Sequence, residues 1–533
     1  MSRIHIVEQN GKKMLMVGDK PFIMLSGEVH NSNSSSVEYM EQVYDKADAL
    51  GLNSLLLPVT WELIEPEEGK FDFSLVDGLI IQARRRGKKL GLLWFGAWKN
   101  AQCYYAPEWV KTDLKRFKRA QVEKGKNFIR RKDFYGMPYT TLSYLCEETK
   151  QADAKAFSML MKHIREIDRE SQTVIMVQVE NETGLMGTAR ENSNEADAIF
   201  SAKVPNEFAS YMKQHTDTMV PDVKWEVENG AHEGSWTEVF GNCAEEIFSA
   251  YYTASYVNAV AKAGKREYSI PMTANCWLDK GGAPGTYPAG GPVSRMMEVW
   301  ACCAPNIDII APDIYVQNFL EICDEYTRRN TPLFIPECAT HSYAGPREVY
   351  CIGHYHALCY SPFGFEDMGQ PFSATQSYLF GVDVEDPALK TPMNVEEYGW
   401  YTRTLHEMMP LLTEKYGTSD LQAVSCERKE EDKMLFGTFG FQIALDTPMI
   451  VRKDSVCMIL KESEDTFYIL IHAAAFGYFS TDSDRPNADV LALEEGHFEN
   501  GIWIPGRRLN GDEVVNTMYQ EPTLLKLKLF AYL

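Results

Sequence analysis

The sequence predicts an α/β fold: a (β/α)8 TIM barrel with an N-terminal hairpin and a C-terminal all-β domain. Apolar strand-like runs alternate with amphipathic helical stretches over roughly 400 residues, as parallel barrels require. That region holds eight strand candidates, each followed by helical material. From residue 417 onward, strand-like runs separated by turn residues replace the alternation. A doubly wound sheet is the competing arrangement, and would show a Gly-rich phosphate turn after its first strand. The turn here is GEVHNSNSSS, rich in hydroxyls and amides.

The elements follow in order. IHIVEQ and KKMLMV flank Asn10-Gly11, the pair that best supports a two-residue hairpin turn. FIMLSGE (22–28) is the first barrel strand. Residues 37–50 form a helix with Met40, Val43, Ala47 and Leu50 on one face; Ser36 caps it and Gly51 ends it. SLLLPV (54–59) is the second strand, followed by a helix over 74–86 bearing Val76, Leu79, Ile80 and Ala83. LGLLWF (90–95) is the third, and a helix over 153–168 leads to VIMVQV (174–179), the fourth. Extra helices, among them 244–263, precede IPMTANCW (270–277), IDIIAPDIY (307–315), PLFIPE (332–337) and HALCYSPFGF (356–365). Helices are expected over 293–302, 319–329 and 394–415. Residues 1–416 are thus expected to form the barrel domain. Residues 417–533 are expected to form a β-sandwich-like domain from MLFGTFGFQIAL, MIVRKDSVCMILK, TFYILIHAAAFGYFS and LLKLKLFAYL.

Composition narrows the function. The chain has 533 residues, of which 45% are hydrophobic, and 27 Tyr, 26 Phe and 10 Trp supply ample core. A formal net charge of −22 opposes binding to nucleic acid or an anionic membrane, since both need clustered Lys and Arg. The one basic run, Arg84-Arg85-Arg86, sits late in a helix, where it complements the helix dipole. The start lacks the apolar core of a secretory signal, and no run of about 18 apolar residues exists to span a membrane. The 12 cysteines show no CxxC spacing. Reduced thiols and a cytoplasmic location are therefore expected. The composition is compatible with a homo-oligomer.

Chemistry in such a barrel belongs at the C-terminal ends of the strands. In order, those ends present Glu28; Trp61-Glu62; Trp98-Lys99-Asn100; Asn181-Glu182; Asn275 and Trp277; Asp313 and Tyr315; Glu337; and Phe365-Glu366. Carboxylates and amides suit sugar hydroxyls, and flat rings suit the C–H faces of a pyranose. Glu182 and Glu337 stand out, because a retaining glycosidase needs two carboxyls about 5–5.5 Å apart. Glu180 rivals Glu182: strand alternation puts both on one side and Asn181 on the other. Asn181 and Glu182 reach one pocket only if the strand bulges or ends there.

Weaker candidates have bland explanations. His354-Tyr-His356 is half a metal site at most, and no metal is expected. Cys338 is read as a small apolar filler, and Ser34-Ser35-Ser36 as a loop and helix cap. The Gly-rich loop LDKGGAPGTYPAGGPVS (278–294) either covers the pocket mouth or lies on the surface.

VIMVQVENE resembles the acid/base motif of glycoside hydrolase family 35, the β-galactosidases of the barrel clan. ALGLNSLLLPVTWELIEPEEGKFDFS (49–74) also resembles that family's second-strand region. The likeness runs over about residues 15–415, and VLALEEGHFENGIWIPGRRLNGDE (490–513) looks like the β-domain of a bacterial branch. The resemblance implies Glu182 as acid/base, Asn181 as the 2-hydroxyl contact and Glu337 as nucleophile, which demotes Glu180. It implies sugar contacts from Glu28, Trp98, Asn100 and Tyr315, while Trp98 or Trp277 is expected to stack on the ring. The expected activity is a retaining exo-β-galactosidase acting on β-galactoside oligosaccharides without a cofactor. The alternatives are another β-glycosidase (a β-glucosidase or β-glucosaminidase) and a non-catalytic carbohydrate-binding protein. The chain departs from better-known members at SGEVHNSNSSS and WFGAWKN, the ends of strands one and three.

Overall fold

The computed structural model describes residues 4–130, 138–371, 393–428, 432–445 and 454–533. The hairpin forms as expected: β1 (Ile4–Gln9) and β2 (Lys12–Val17), joined by β3 (Lys20–Pro21) in a small sheet. Eight further strands close a parallel barrel. They are β4 (Met24–Glu28), β5 (Ser54–Thr60), β6 (Lys89–Phe95), β7 (Val174–Val179), β8 (Met272–Trp277), β9 (Ile309–Ile314), β10 (Phe334–Cys338) and β11 (Cys359–Pro362). They stand in chain order around the ring. Successive parallel strands need a crossover, and helices supply it. Those used below are α1 (Val37–Leu50), α2 (Ser74–Arg85), α3 (Glu147–Asp168), α4 (Ala244–Glu267), α5 (Met297–Cys303), α6 (Phe319–Thr327), α7 (Ala344–Tyr350) and α8 (Val395–Glu407).

Local chemistry explains the boundaries. The Tyr39 amide donates to Ser36 Oγ (3.2 Å) at the start of α1, and Gly51 ends it at φ 77°, a left-handed geometry that suits glycine. Met40, Val43 and Ala47 on its inner face are buried. The arginine run is ion-paired as well as dipole-aligned: Arg84 meets Asp168 at 2.8 Å, and Arg86 meets Glu41 at 2.8 Å.

Three departures from expectation have a local cause. The single helix expected over 394–415 is two, because Met409–Glu414 starts afresh beyond Met408 with Pro410 in its first turn. A proline lacks the amide that a continuing helix would use. The helix expected from 293 opens as a 3-10 turn, Ser294–Met296, before α5. The eighth strand is only Cys359–Pro362, since His356 before it and Gly364 after it both adopt positive φ.

Contacts divide the chain into two compact units: one of Met1–His5, Val29–Glu41 and Leu55–Ile314, the other of Ile6–Glu28, Gln42–Ser54 and Tyr315–Leu533. The first carries β5 to β9. The second carries β4, β10, β11 and two antiparallel sheets. The larger of these sheets has the order β12 (Leu421–Ser425), β15 (Val456–Ser463), β16 (Thr466–His472), β21 (Thr523–Tyr532), β18 (Asn487–Glu499), β19 (Ile502–Leu509). The smaller joins β13 (Lys433–Phe436), β14 (Phe439–Ala444), β17 (Ala474–Ser480) and β20 (Met518–Tyr519). Residues 449–453, the start of the expected run MIVRKDSVCMILK, lie outside the described residues.

One core joins the two sheets. Phe467 stands edge-on to Phe441, Phe436 and Phe439 at 5.0, 5.7 and 6.0 Å between ring centres. Full burial of each such ring stabilises by about 1.5–3 kcal/mol. Among the described residues, no helix is long and apolar enough to cross a membrane.

Candidate active site

The fourth strand settles how Asn181 and Glu182 are presented. β7 ends at Val179, and Glu180 and Glu182 both take left-handed φ, 63° and 45°. Alternation therefore stops, and the three side chains part. Non-glycine residues rarely hold such φ values unless surrounding contacts fix them. Here the Asn181 amide donates to Trp98 O (3.3 Å) and the Glu182 amide to Asn275 Oδ1 (3.0 Å).

Glu182 is buried and accepts a hydrogen bond at Oε2 from the Asn100 side-chain amide. The Asn100 backbone amide donates to Asn181 Oδ1 at 3.4 Å, so the ends of strands three and four brace each other. Asn275 in turn donates through Nδ2 to Asp313 Oδ2 at 2.8 Å. The sequence identified Asn275 and Asp313 as strand-end residues only; their place in a relay to Glu182 depends on neighbouring strands. Trp277 pairs in register with Asp313 and keeps part of its surface exposed.

Glu180 turns inward instead. It is fully buried, and its Oε2 accepts from the Trp98 amide at 2.8 Å. Its carboxyl also hydrogen-bonds to that of Asp153, on α3. Asp153 accepts from Trp94 Nε1 and the Tyr256 hydroxyl, each at 2.9 Å. Burial, and then the Asp153 charge, raise the Glu180 pKa well above the usual carboxyl range. That direction favours the protonated form of Glu180 beside the Asp153 carboxylate. Asp153 and Tyr256 carry no strand-end signal, and only the packing of α3 and α4 reveals them. Trp98 is fully buried, edge-on to Tyr256 with 4.7 Å between ring centres.

The Gly-rich loop is not a free surface loop. Leu185 and Ala289 exchange backbone hydrogen bonds (3.0 and 2.8 Å), and the Gly187 amide donates to Gly285 O at 2.7 Å. Tyr287, Ala289 and Val293 are buried. The loop thus packs on the segment that follows Glu182, and brings the Lys280 ammonium close enough to interact with the Glu182 charge.

At strand seven, Glu337 is buried within β10, and Oε2 accepts from the Tyr315 hydroxyl at 2.8 Å. Cys338 beside it is buried and its thiol is pushed up to about 12 by burial, which suits a filler. Glu28 is buried at the end of β4. Ser34 donates to Pro58 O (2.7 Å) and Ser35 to Ser32 O (2.6 Å), as loop residues do.

His354 stacks on Tyr350, while burial pushes His356 down to about 4 and its Nδ1 accepts from the Gly417 amide at 3.4 Å. Among the described residues, Glu397, Asp454 and His472 bring possible ligand atoms within 4.8 Å of one another. His472 also hydrogen-bonds the Tyr401 hydroxyl.

Residues 14–82 match the family model described as glycosyl hydrolases family 35. The resemblance is to family 35. Residues 401–518 match a domain of unknown function, DUF5597, in the C-terminal region. A β-galactosidase of Xanthomonas manihotis is 42% identical over 55 residues, 10% of this chain and 9% of that protein. Among solved structures, a β-galactosidase from Bacillus circulans sp. alkalophilus shares 13% identity at a TM-score of 0.45, covering 72% of this chain and 56% of that one. A β-galactosidase from the psychrophilic Marinomonas ef1 shares 12% at 0.46, covering 74% and 61%. The chain spans less than two thirds of the length of each of these relatives.

Proposed function

We propose that the protein is a retaining exo-β-galactosidase that removes terminal non-reducing β-D-galactosyl residues from oligosaccharides. The observation that carries this is that two buried glutamates each lie at or just beyond the end of a barrel strand, in a chain whose start matches family 35. Glu182 takes a hydrogen bond from Asn100, and Glu337 takes one from Tyr315.

In the first step Glu337 attacks the anomeric carbon. The bond to the leaving oxygen breaks, and Glu182 gives that oxygen its proton. The product is a glycosyl ester on Glu337. In the second step Glu182, now a carboxylate, takes a proton from water. The water attacks the same carbon and frees Glu337. Tyr315 steadies the ionised nucleophile between turnovers. Asn181 holds the 2-hydroxyl, where hydrogen bonds strengthen as positive charge grows on the ring. Trp277, being partly exposed, is the better stacking face, and the buried Trp98 shapes the wall behind it. Glu28 and Asn100 complete the sugar contacts. The chemistry needs two carboxyls and no cofactor.

A panel of nitrophenyl glycosides tests the sugar. Fastest turnover of the β-galactoside is expected, and preference for a glucoside or glucosaminide would change the substrate while keeping the mechanism. Trapping with a 2-fluoro galactoside and mass spectrometry tests the nucleophile, with the label expected on the peptide containing Glu337.

A further inference from the structure

We propose that the C-terminal β-region contributes a positioning residue to the reaction: Glu427, acting through Arg347, holds the loops that follow Tyr315 and Glu337. The inference rests on Glu337 being the nucleophile.

Glu427 lies in the turn after β12. That turn is pinned to its own sheet, because Cys426 N donates to Ser455 O (3.1 Å) and Arg428 N to Ser425 O (2.9 Å). From there Glu427 receives both arms of a guanidinium: Arg347 Nε donates to Oε2 at 2.9 Å and Nη2 to Oε1 at 2.6 Å. Such a fork fixes orientation as well as distance. Arg347, on α7, has a side chain only 8% exposed. A buried cation of this kind holds its place only while its partner remains.

The remaining donors of Arg347 point at the loops after strands six and seven. Nη2 reaches Gln317 O at 3.4 Å, two residues beyond Tyr315. Nη1 reaches His341 Nε2 at 3.1 Å, four residues beyond Glu337. The guanidinium also lies over the Phe319 ring at 4.4 Å, at the start of α6. One side chain therefore spans both loops whose strand ends make the Tyr315–Glu337 hydrogen bond, and its own orientation is set from the C-terminal sheet. Without the Glu427 charge, Arg347 must find another partner and release Gln317 and His341.

The neighbouring Arg428 provides the control. It leaves the same turn but pairs with Asp324 Oδ2 (2.6 Å) and the Tyr355 hydroxyl (2.9 Å), two partners outside the loops after strands six and seven. Its loss weakens the same turn's attachment without freeing Arg347.

The experiment is the rate of labelling of the full chain by the 2-fluoro galactoside, with kcat, KM and thermal midpoint for Glu427→Gln, Glu427→Asp and Arg428→Gln. Displacing reacting groups by about an ångström costs up to ~100-fold in rate, so Glu427→Gln is expected to label ~10–100-fold more slowly with KM nearly unchanged. Glu427→Asp, which keeps the charge on a shorter arm, recovers part of the rate. Arg428→Gln labels at the wild-type rate. Wild-type labelling by Glu427→Gln, or equal losses in Glu427→Gln and Arg428→Gln, overturns the positioning role. If Glu427→Gln does not fold, Glu427→Asp decides: slower labelling at an unchanged midpoint supports the role, and wild-type labelling overturns it. A wild-type enzyme that turns over but is labelled away from Glu337 removes the reading of Glu337 itself. Labelling at Glu337 that no Glu427 variant slows removes only this inference.

Discussion

The hydroxyl of Tyr315 donates to Oε2 of Glu337 across 2.8 Å, tying the residue just after β9 to the carboxylate in β10. A hydrogen bond to a charged group contributes about 1.5–3 kcal/mol. Tyr315→Phe is therefore expected to slow formation of the glycosyl-enzyme by ~10–100-fold, read as the pre-steady-state burst with an activated aryl galactoside. Glu337→Gln should remove turnover by ~10⁴-fold or more, since loss of a nucleophile is not replaced by binding alone. Unchanged turnover in Glu337→Gln would show that the bond-forming carboxylate lies elsewhere.

Glu182 is expected to matter in proportion to how poor the leaving group is. Glu182→Ala should slow natural galactosides far more than dinitrophenyl galactoside, whose phenolate leaves without a proton. A plot of rate against leaving-group pKa checks this, and equal losses throughout would count against the acid role.

Lys280 should tune that acid. Its charge favours the ionised form of Glu182, so its loss makes ionisation harder. Glu182 must be protonated to act as acid, and the alkaline limb of kcat/KM marks where it loses that proton. Lys280→Met is therefore expected to move the alkaline limb to higher pH. A limb that stays put or moves down would contradict the pairing.

The Glu180–Asp153 pair gives a stability test. Glu180 is read as protonated, so Glu180→Gln preserves a donor to Asp153 and should be nearly neutral. Glu180→Ala leaves the Asp153 charge and the Trp98 amide without that partner and should cost about 3–5 kcal/mol. Urea unfolding compares the two, and equal destabilisation would mean that Glu180 is ionised.

Glu348 predicts a pH effect on stability. It is buried on α7, accepts from Thr402 Oγ1 at 3.1 Å, and burial raises its pKa from 4.5 to about 8. The folded chain thus holds this proton longer than the unfolded chain does. The protonated group's contribution is complete below pH 4.5 and is lost as pH rises through 8. The change is on the order of 4 kcal/mol. Glu348→Gln should remove it, so the variant gains stability relative to wild type between pH 5 and pH 8. Thermal midpoints at the two pH values measure this.

Periodicity made the barrel legible. A buried parallel strand must be apolar throughout, and a covering helix must repeat its apolar residues every three or four positions. Hence VIMVQV and the α1 face identified their elements within a residue or two. The failures fell where one proline or one positive φ overrode a pattern, at Met408 and around β11.

The sequence by itself determined the eight-strand alternation, the C-terminal change to sheets, and which strand ends carry acids, because these follow from residue type and spacing along one segment. Only the tertiary structure decided that β7 stops before Glu180, that Glu180 turns inward to Asp153, and that Arg347 meets Glu427. Those outcomes depend on left-handed φ values and on partners 27 and 80 residues away. Burial makes each of those pairings obligatory, because an isolated charge away from water is too costly to keep.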